Sequence, residues 1–215
     1  MNRWWIRIGL AGWLALCGGT AFGEKPVESF RYQGFSGGMM LHTGWVSGGT
    51  LMLHTPTGMA LPAQSIQGMP YGIGGAIRFH FGSQFRVGTE GYVSHLNYGG
   101  YGSRMDVSWG GLLVDWRWQI GRFSPYVGIT FGGGGVRNLT LTAAQQNDMV
   151  LEEGVSYRTY SFMAVAPFVG VEFEMTRRMR LVLKADCLLD VSNPQPDFPL
   201  GPRIYFGFVF CHLNE

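Results

Sequence analysis

A few side chains are candidates for acid–base catalysis. They are Ser94, His95 and Asp106, which lie within one short stretch, together with His42 and His54 nearer the N-terminus. A general base must lie within hydrogen-bond reach of the group that it deprotonates. Because no His, Ser and acidic residue stand at the spacing of a recognisable catalytic motif, we predict no catalytic residue. Catalysis by this set is retained as the least favoured alternative.

Metal and cofactor chemistry also lack a motif in this chain. The five histidines and the cysteines do not have the spacing of a metal-ligand set. The glycine run 132–135 is not followed by the Gly-Lys-Ser/Thr of a phosphate-binding loop, and we interpret it as the end of a strand. The net charge of +2 is too small to indicate nucleic acid. We therefore predict no metal, no cofactor and no nucleic-acid partner.

The charged residues instead follow an alternating pattern, which is clearest in Tyr71–Phe81. One face of this segment carries Tyr, Ile and Phe, and the other carries Gly, Ala, Arg78 and His80. A period of two is typical of a β-strand whose faces meet different environments. Eight segments have such alternation: Gly38–Ser47, Tyr71–Phe81, Phe85–His95, Asp106–Ile120, Ser124–Gly134, Phe162–Met175, Met179–Asp190 and Arg203–Cys211.

The connections between these segments alternate in length. Three are tight turns, at residues 82–84, 121–123 and 176–178. The others are long, at residues 48–70, 97–105, 135–161 and 191–202. An even strand number with short turns on one rim and long loops on the other is typical of a transmembrane barrel. We therefore predict an all-β, eight-stranded, antiparallel up-and-down transmembrane β-barrel.

The small residues indicate which face points inward. Glycine and alanine lie mostly on the charged faces, as in Gly72, Gly74 and Ala76. An eight-stranded barrel has an interior just wide enough for side chains, so small residues are needed there. The charged face is therefore predicted to face the lumen and the apolar face to face lipid, in preference to a soluble lipocalin-like barrel. Aromatic residues near both strand ends, including Trp116 and Tyr71, predict two interfacial girdles.

We predict a network of paired charges within the lumen. Its members are Arg78, His80, Arg86, Glu90, Asp115, Arg117, Glu172, Glu174, Arg180, Lys184, Asp186 and Arg203. Charges removed from water must be paired, because unpaired burial is unfavourable. Counting along the strands places Glu174 opposite Arg180 and Asp186 near Arg203. We interpret the network as a polar plug, with a narrow gated ion path as the alternative.

The N-terminal residues predict export. Arg3 and Arg7 precede an apolar segment that ends in Ala21-Phe22-Gly23, the pattern of a cleaved signal peptide. We assign residues 1–23 to the signal peptide, 24–36 to a short periplasmic lead-in and 37–212 to the barrel. Cleavage would remove Cys17, and the predicted strand positions of Cys187 and Cys211 favour two free thiols over a disulfide.

The terminal run Tyr205–Phe210 completes a resemblance to a known family. With the predicted signal peptide, the strand count and the loop asymmetry, residues 37–212 resemble small eight-stranded outer-membrane barrels such as the OmpA transmembrane domain and OmpX. The resemblance implies outer-membrane lipid and the barrel-assembly machinery, which recognises an aromatic C-terminal strand, as partners. Residues 211–215 extend past the last Phe, where many members end.

The resemblance predicts architecture more specifically than activity. We expect a structural or surface-interaction role in the bacterial outer membrane, with an extracellular ligand binding at long loops such as 48–70 and 145–153. A narrow small-solute or ion channel is the first alternative. A lipid-modifying enzyme is the second, because barrels resembling lipid A palmitoyltransferase or deacylase use His with Ser and an acid near the outer rim.

Overall fold

A computed structural model describes residues 31–51, 64–99, 101–141, 155–192 and 194–213. Among these residues, no helix is long and apolar enough to cross a membrane. The strands are β1 (Tyr32–Gly44), β2 (Val46–Leu51), β3 (Gln64–Gly68), β4 (Tyr71–Phe81), β5 (Phe85–Tyr98), β6 (Ser103–Arg117), β7 (Phe123–Leu141), β8 (Val155–Thr176), β9 (Met179–Cys187), β10 (Leu189–Asp190) and β11 (Pro202–Leu213).

Eight of these strands close into a ring. Each barrel strand pairs antiparallel with its neighbours in the order β8, β7, β6, β5, β4, β1, β11 and β9, and β9 pairs back onto β8. The short strand β10 pairs with β8 beyond the end of β9, while β2 and β3 form a separate two-stranded antiparallel sheet. The predicted eight-stranded antiparallel barrel is therefore confirmed.

Several strands are longer than the alternation predicts. β1 begins at Tyr32 rather than Gly38, and β11 continues to Leu213 rather than Cys211. The largest difference is at β7 and β8, which extend to Leu141 and from Val155 into the predicted loop 135–161. The glycine run 132–135 lies within β7 and does not end it, because β6 and β8 pair with the run on both sides.

Two predicted strands are shorter or interrupted. β6 ends at Arg117, three residues before the predicted Ile120. β9 ends at Cys187, and the buried Leu188 separates it from β10. The two described cysteines are free, as predicted: Cys187 lies on β9 and the buried Cys211 lies on β11.

The barrel is apolar outside and charged inside. Large hydrophobic side chains on the outer surface include Met39, Leu41, Ile77, Phe79, Leu112, Phe131, Met163, Phe206 and Phe208. Contiguous apolar surface on this scale is unusual for a monomeric soluble protein. The largest fully buried side chains, by contrast, include Arg78, Arg86 and Lys184. The predicted assignment of faces is therefore correct.

Inward glycines make room for the large interior side chains. A methyl group added at Gly170 would overlap the ring of Tyr126, and one added at Gly74 would overlap the ring of Tyr92. These contacts explain why small residues alternate with charged ones on the lumenal face, as expected for a narrow barrel filled by side chains.

The last connection closes the long-loop end of the barrel. Residues 194–201 run beside β2, where Ser47 donates a backbone hydrogen bond to the carbonyl of Leu200 over 2.8 Å. Asp197 and Phe198 of this segment, which we call the mouth loop, are buried. The ring of Phe198 lies edge-on to Phe162 of β8, with 5.1 Å between ring centroids. The mouth loop therefore packs into the barrel and covers its long-loop end.

Candidate functional site

Eleven of the twelve residues predicted for the lumen are buried, and Glu174 is half-buried. They come from six strands of the ring, β4, β5, β6, β8, β9 and β11, and are brought together by the period-two alternation of each strand. Ionised side chains this far from water are tolerated when oppositely charged groups hold them. The lumen is therefore the region of the molecule where polar chemistry is concentrated.

One layer of the lumen is built around two carboxylates. Asp115 accepts a hydrogen bond from Arg78 Nε at 2.9 Å and another from Arg86 Nε at 2.5 Å. Arg86 also donates through Nη1 to Glu172, which accepts from Arg180 Nη1 at 3.1 Å. These contacts link five strands, β4, β5, β6, β8 and β9, through a continuous chain of ion pairs across the lumen.

Aromatic rings complete that layer. The guanidinium carbons of Arg78 and Arg86 lie 5.5 Å and 4.9 Å from the centre of the Tyr126 ring. A cation over an aromatic face gains stabilisation that grows as water is excluded. Tyr126 was not singled out from the sequence, although its position on the inward face of β7 was a usable signal.

A second layer is centred on Lys184. Its Nζ donates to both carboxylate oxygens of Glu90, at 2.7 Å and 2.9 Å, and Thr130 donates to the same carboxylate at 2.6 Å. Three aromatic rings surround the ammonium, those of Phe168, Tyr205 and Tyr92, at 4.6 Å, 4.9 Å and 5.2 Å from their centres.

The two pairings predicted by strand counting have different outcomes. Arg203 donates from Nε to Asp186 at 2.8 Å, and the two residues are register partners, so that pairing is confirmed. Glu174 is also in register with Arg180 as predicted. The ion pair of Arg180, however, is made with Glu172, because Glu172 lies deeper in the lumen and is fully enclosed.

The long-loop half of the interior is apolar, which differs from the predicted filling by paired charges. Its buried side chains are Val46, Ile66, Leu96, Met105, Val107, Val136, Phe162, Leu188 and Phe198. Several belong to strand extensions or to the mouth loop, which the alternation did not include. The paired charges therefore occupy the middle and the short-turn half, and an apolar layer lies above them.

Polar contacts anchor the mouth loop over this apolar layer. Asp197 is fully buried and pairs with Arg158 Nη1 at 3.1 Å, while Asn138 donates to its other oxygen at 3.3 Å. Tyr98 donates to Asn138 and lies 2.7 Å from the Thr140 hydroxyl. The sequence reasoning missed this group, because Asn138, Thr140 and Arg158 lay in a predicted loop.

The predicted alternative of a His, Ser and acid set is not assembled. His95 and Asp106 do meet, with 2.6 Å between Nδ1 and Oδ1, and Arg104 donates to the same oxygen at 2.8 Å. Ser94, however, is buried and faces the interior, whereas these three face outward, because neighbouring residues of a strand point to opposite faces. His54 lies outside the described residues.

The outward group His95, Arg104 and Asp106 lies at the long-loop end of the apolar surface. Burial alone would raise the pKa of Asp106, but hydrogen bonds from His95 and Arg104 hold that pKa below its ordinary value. These residues form a polar collar above the exposed apolar side chains of β4 and β6.

His42, another of the candidates for acid–base catalysis, is buried in the lumen. Its ring is 5.0 Å from that of Tyr205 and 5.8 Å from that of Tyr92. Neither ring nitrogen has a hydrogen-bond partner among the described residues. Within the same part of the chain, no three His, Cys, Asp or Glu side chains are grouped as metal ligands.

Comparison with known proteins yields matches in structure only. No known family profile and no curated protein sequence matches the chain. Among solved structures, the attachment invasion locus protein Ail of Yersinia pestis, in complex with the heparin analogue sucrose octasulfate, aligns at 12% identity with a TM-score of 0.51, covering 84% of this chain and 99% of Ail.

Two further outer-membrane proteins align over similar lengths. Neisserial surface protein A matches at 10% identity with a TM-score of 0.55, covering 85% of this chain and 99% of its own. The outer membrane protein OprG of Pseudomonas aeruginosa matches at 11% identity with a TM-score of 0.56, covering 87% and 99%. The predicted resemblance to small outer-membrane barrels is therefore confirmed, at the level of the fold.

Proposed function

We propose that this chain is an integral outer-membrane barrel whose lumen is closed and whose role is structural or surface-interacting. The apolar outer surface supports residence in lipid, since exposed Leu, Ile, Met and Phe side chains are favourable there and unfavourable in water. The aligned structures of outer-membrane proteins support the same location. The short-turn rim would face the periplasm and the long loops the exterior.

The observation that carries the closed lumen is the ion pair of Lys184 with Glu90. β9 and β5 lie on opposite sides of the eight-stranded ring, so this pair spans the barrel. The chain of ion pairs through Asp115 and Glu172 obstructs the lumen at another level. An eight-stranded barrel has little interior space beyond its side chains, so these layers leave no wide path for a solute.

The long-loop end is then the surface available to partners. β7 and β8 form an extended arm on this side, and the contacts of Asp197 with Arg158 and Asn138 brace its base. The described part of the arm ends at Leu141 and Val155, and the predicted binding loop 145–153 lies outside the described residues. Binding segments on a rigid scaffold are a common arrangement. An extracellular ligand is proposed to bind here, and the aromatic β11 is proposed to engage the assembly machinery.

Conductance tests the closed lumen. Full-length protein reconstituted in a planar bilayer should give no steady open-channel steps. Replacing both Glu90 and Lys184 with Ala should increase brief openings, because the spanning pair is removed without leaving a buried charge. The matched control replaces the outward pair Arg104 and Asp106 with Ala and should behave as the parent chain. Steady steps from the parent chain would support the narrow channel instead.

Labelling of intact cells tests the location and the orientation. In a chain whose own cysteines are replaced by serine, Gln146→Cys should react with a membrane-impermeant thiol reagent and Ser83→Cys should not. Folded protein should also require detergent for extraction and should change its gel migration on heating. A chain that is soluble without detergent, or a reactive Ser83→Cys position, contradicts the proposal.

A further inference from the structure

The charges in the lumen are balanced in its middle and unbalanced towards the short turns. In the middle, Lys184 and Arg203 are matched by Glu90 and Asp186. Towards the short turns, four buried guanidinium groups share two buried carboxylates, and we call this group the arginine layer: Arg78, Arg86, Arg117, Arg180, Asp115 and Glu172. The arginine layer therefore has a surplus of positive charge in a place that is poorly reached by water.

The surplus is localised on Arg117. The other three arginines each make an ion pair with Asp115 or Glu172. Arg117 is 6% exposed, and its side chain makes one hydrogen bond to the described residues, from Nη2 to the backbone carbonyl of Ser83 at 3.4 Å. Among the described residues, its Nε and Nη1 atoms have no hydrogen-bond partner, and neither has Nε of Arg180.

The groups around Arg117 do not neutralise it. Arg86 and Arg180 are close enough to repel it electrostatically, and Glu172, which attracts it, is already bonded to both of them. His80 also lies in this region, where its Nε2 pairs with the Ser36 hydroxyl at 2.8 Å. An unpaired buried charge is strongly unfavourable, so this arrangement favours an added negative group.

We propose that Arg117 and Arg180 form an oxyanion-binding site that opens towards the short-turn rim. Guanidinium groups hold phosphate and carboxylate oxygens through charge-assisted hydrogen bonds, which the free donor atoms of both side chains could supply. Arg117 lies at the end of β6, beside the turn that contains Ser83, so the ligand enters from the periplasmic side. The shared chemistry is a phosphate group, either free or on a phospholipid.

Calorimetric titration of inorganic phosphate into the full-length protein tests this site. In the first arm, the protein is folded in micelles of a zwitterionic detergent that carries no phosphate group, in phosphate-free buffer. A second arm adds phosphatidylglycerol to these micelles before the titration. Saturable binding in the first arm supports the site. Loss of that binding in the second arm identifies a lipid headgroup as the occupant, and unchanged binding identifies a soluble anion.

Variants assign the binding to Arg117. Arg117→Gln should weaken phosphate binding about tenfold or more, the loss expected when charge-assisted hydrogen bonds are removed. Arg117→Lys, which keeps the charge, should be intermediate, and the exposed turn variant Arg122→Gln should match the parent chain within about twofold. The proposal is overturned if the parent chain binds no phosphate, or if Arg117→Gln and the parent chain bind it equally.

Discussion

Lys184 and Glu90 are 94 residues apart in sequence and form a two-point ion pair across the barrel. Neither side chain is reached by solvent. The pair joins β9 to β5, which are not hydrogen-bonded neighbours in the sheet. It therefore connects opposite walls of the barrel directly. This relationship makes the charged lumen part of the structural core.

Lys184→Met should destabilise the barrel by about 3–5 kcal/mol, because it leaves the Glu90 carboxylate buried without a counter-charge. The double variant Lys184→Met with Glu90→Gln should recover a large part of that loss, since no unpaired charge then remains. Urea unfolding of the protein in lipid vesicles gives the free energy of unfolding for each variant. Equal destabilisation in the single and double variants would show that the ion pair is not the cause.

Replacing an inward glycine with a larger residue should reduce the stability of the fold more than replacing an outward glycine. Gly170→Val should destabilise the fold by about 1–3 kcal/mol, the usual range for overpacking, because its side chain overlaps the Tyr126 ring. Gly91→Val is the matched control, since a methyl group there comes no closer than 3.7 Å to the Trp109 carbonyl oxygen. Thermal midpoints from heat-modified gel migration should separate the two, and a similar loss in both would contradict the assigned packing.

Asp197→Ala should loosen the mouth loop while leaving the barrel folded. The substitution removes the partner of Arg158 and Asn138, which corresponds to about 1–3 kcal/mol of local stability. Limited proteolysis should then cleave within the mouth loop, residues 194–201, faster than in the parent chain. Thr159→Ala, at an exposed position next to Arg158 on β8, should leave the cleavage rate unchanged. Equal resistance of the Asp197 variant would mean that apolar packing alone holds the loop.

The outward pair His95 and Asp106 predicts a small dependence of stability on pH. The pKa of Asp106 is lowered in the folded chain, so its contribution is present above the unfolded pKa and is lost as the pH falls through the folded pKa. Asp106→Asn should lower the free energy of unfolding by less than about 1 kcal/mol at pH 7, because the side chain is partly exposed and screened.

The same difference should vanish at acidic pH. At a pH below the folded-state pKa the Asp106 carboxyl is largely protonated in both states, so the variant and the parent chain should unfold at the same urea concentration. The comparison is made on the difference between the two chains, which cancels the titration of the other carboxylates. A difference that persists at low pH would assign the effect of the variant to packing instead of charge.

The faces of the strands were predictable from local residue order. In Tyr71–Phe81, bulky apolar residues alternate with small and charged ones, and a period of two assigns each set to one face whatever the rest of the chain does. The placement of glycine and alanine on the charged face then decides which side is crowded. The eight barrel strands and their order follow from that pattern and from the alternating lengths of the connections. The pairing of Asp186 with Arg203 follows from counting residues across the last long connection.

Other features depend on contacts between distant segments, which the alternating pattern of residues within one strand does not predict. The extension of β7 through its glycine run relies on pairing with β6 and β8, and the mouth loop relies on Asp197 meeting Arg158. Sequence by itself thus determined the barrel, its faces and the inventory of lumenal charges. Only the tertiary structure decided the remaining charge pairs and showed that Arg117 lacks an ion pair among the described residues, because partners such as Lys184 and Glu90 meet across the closed ring.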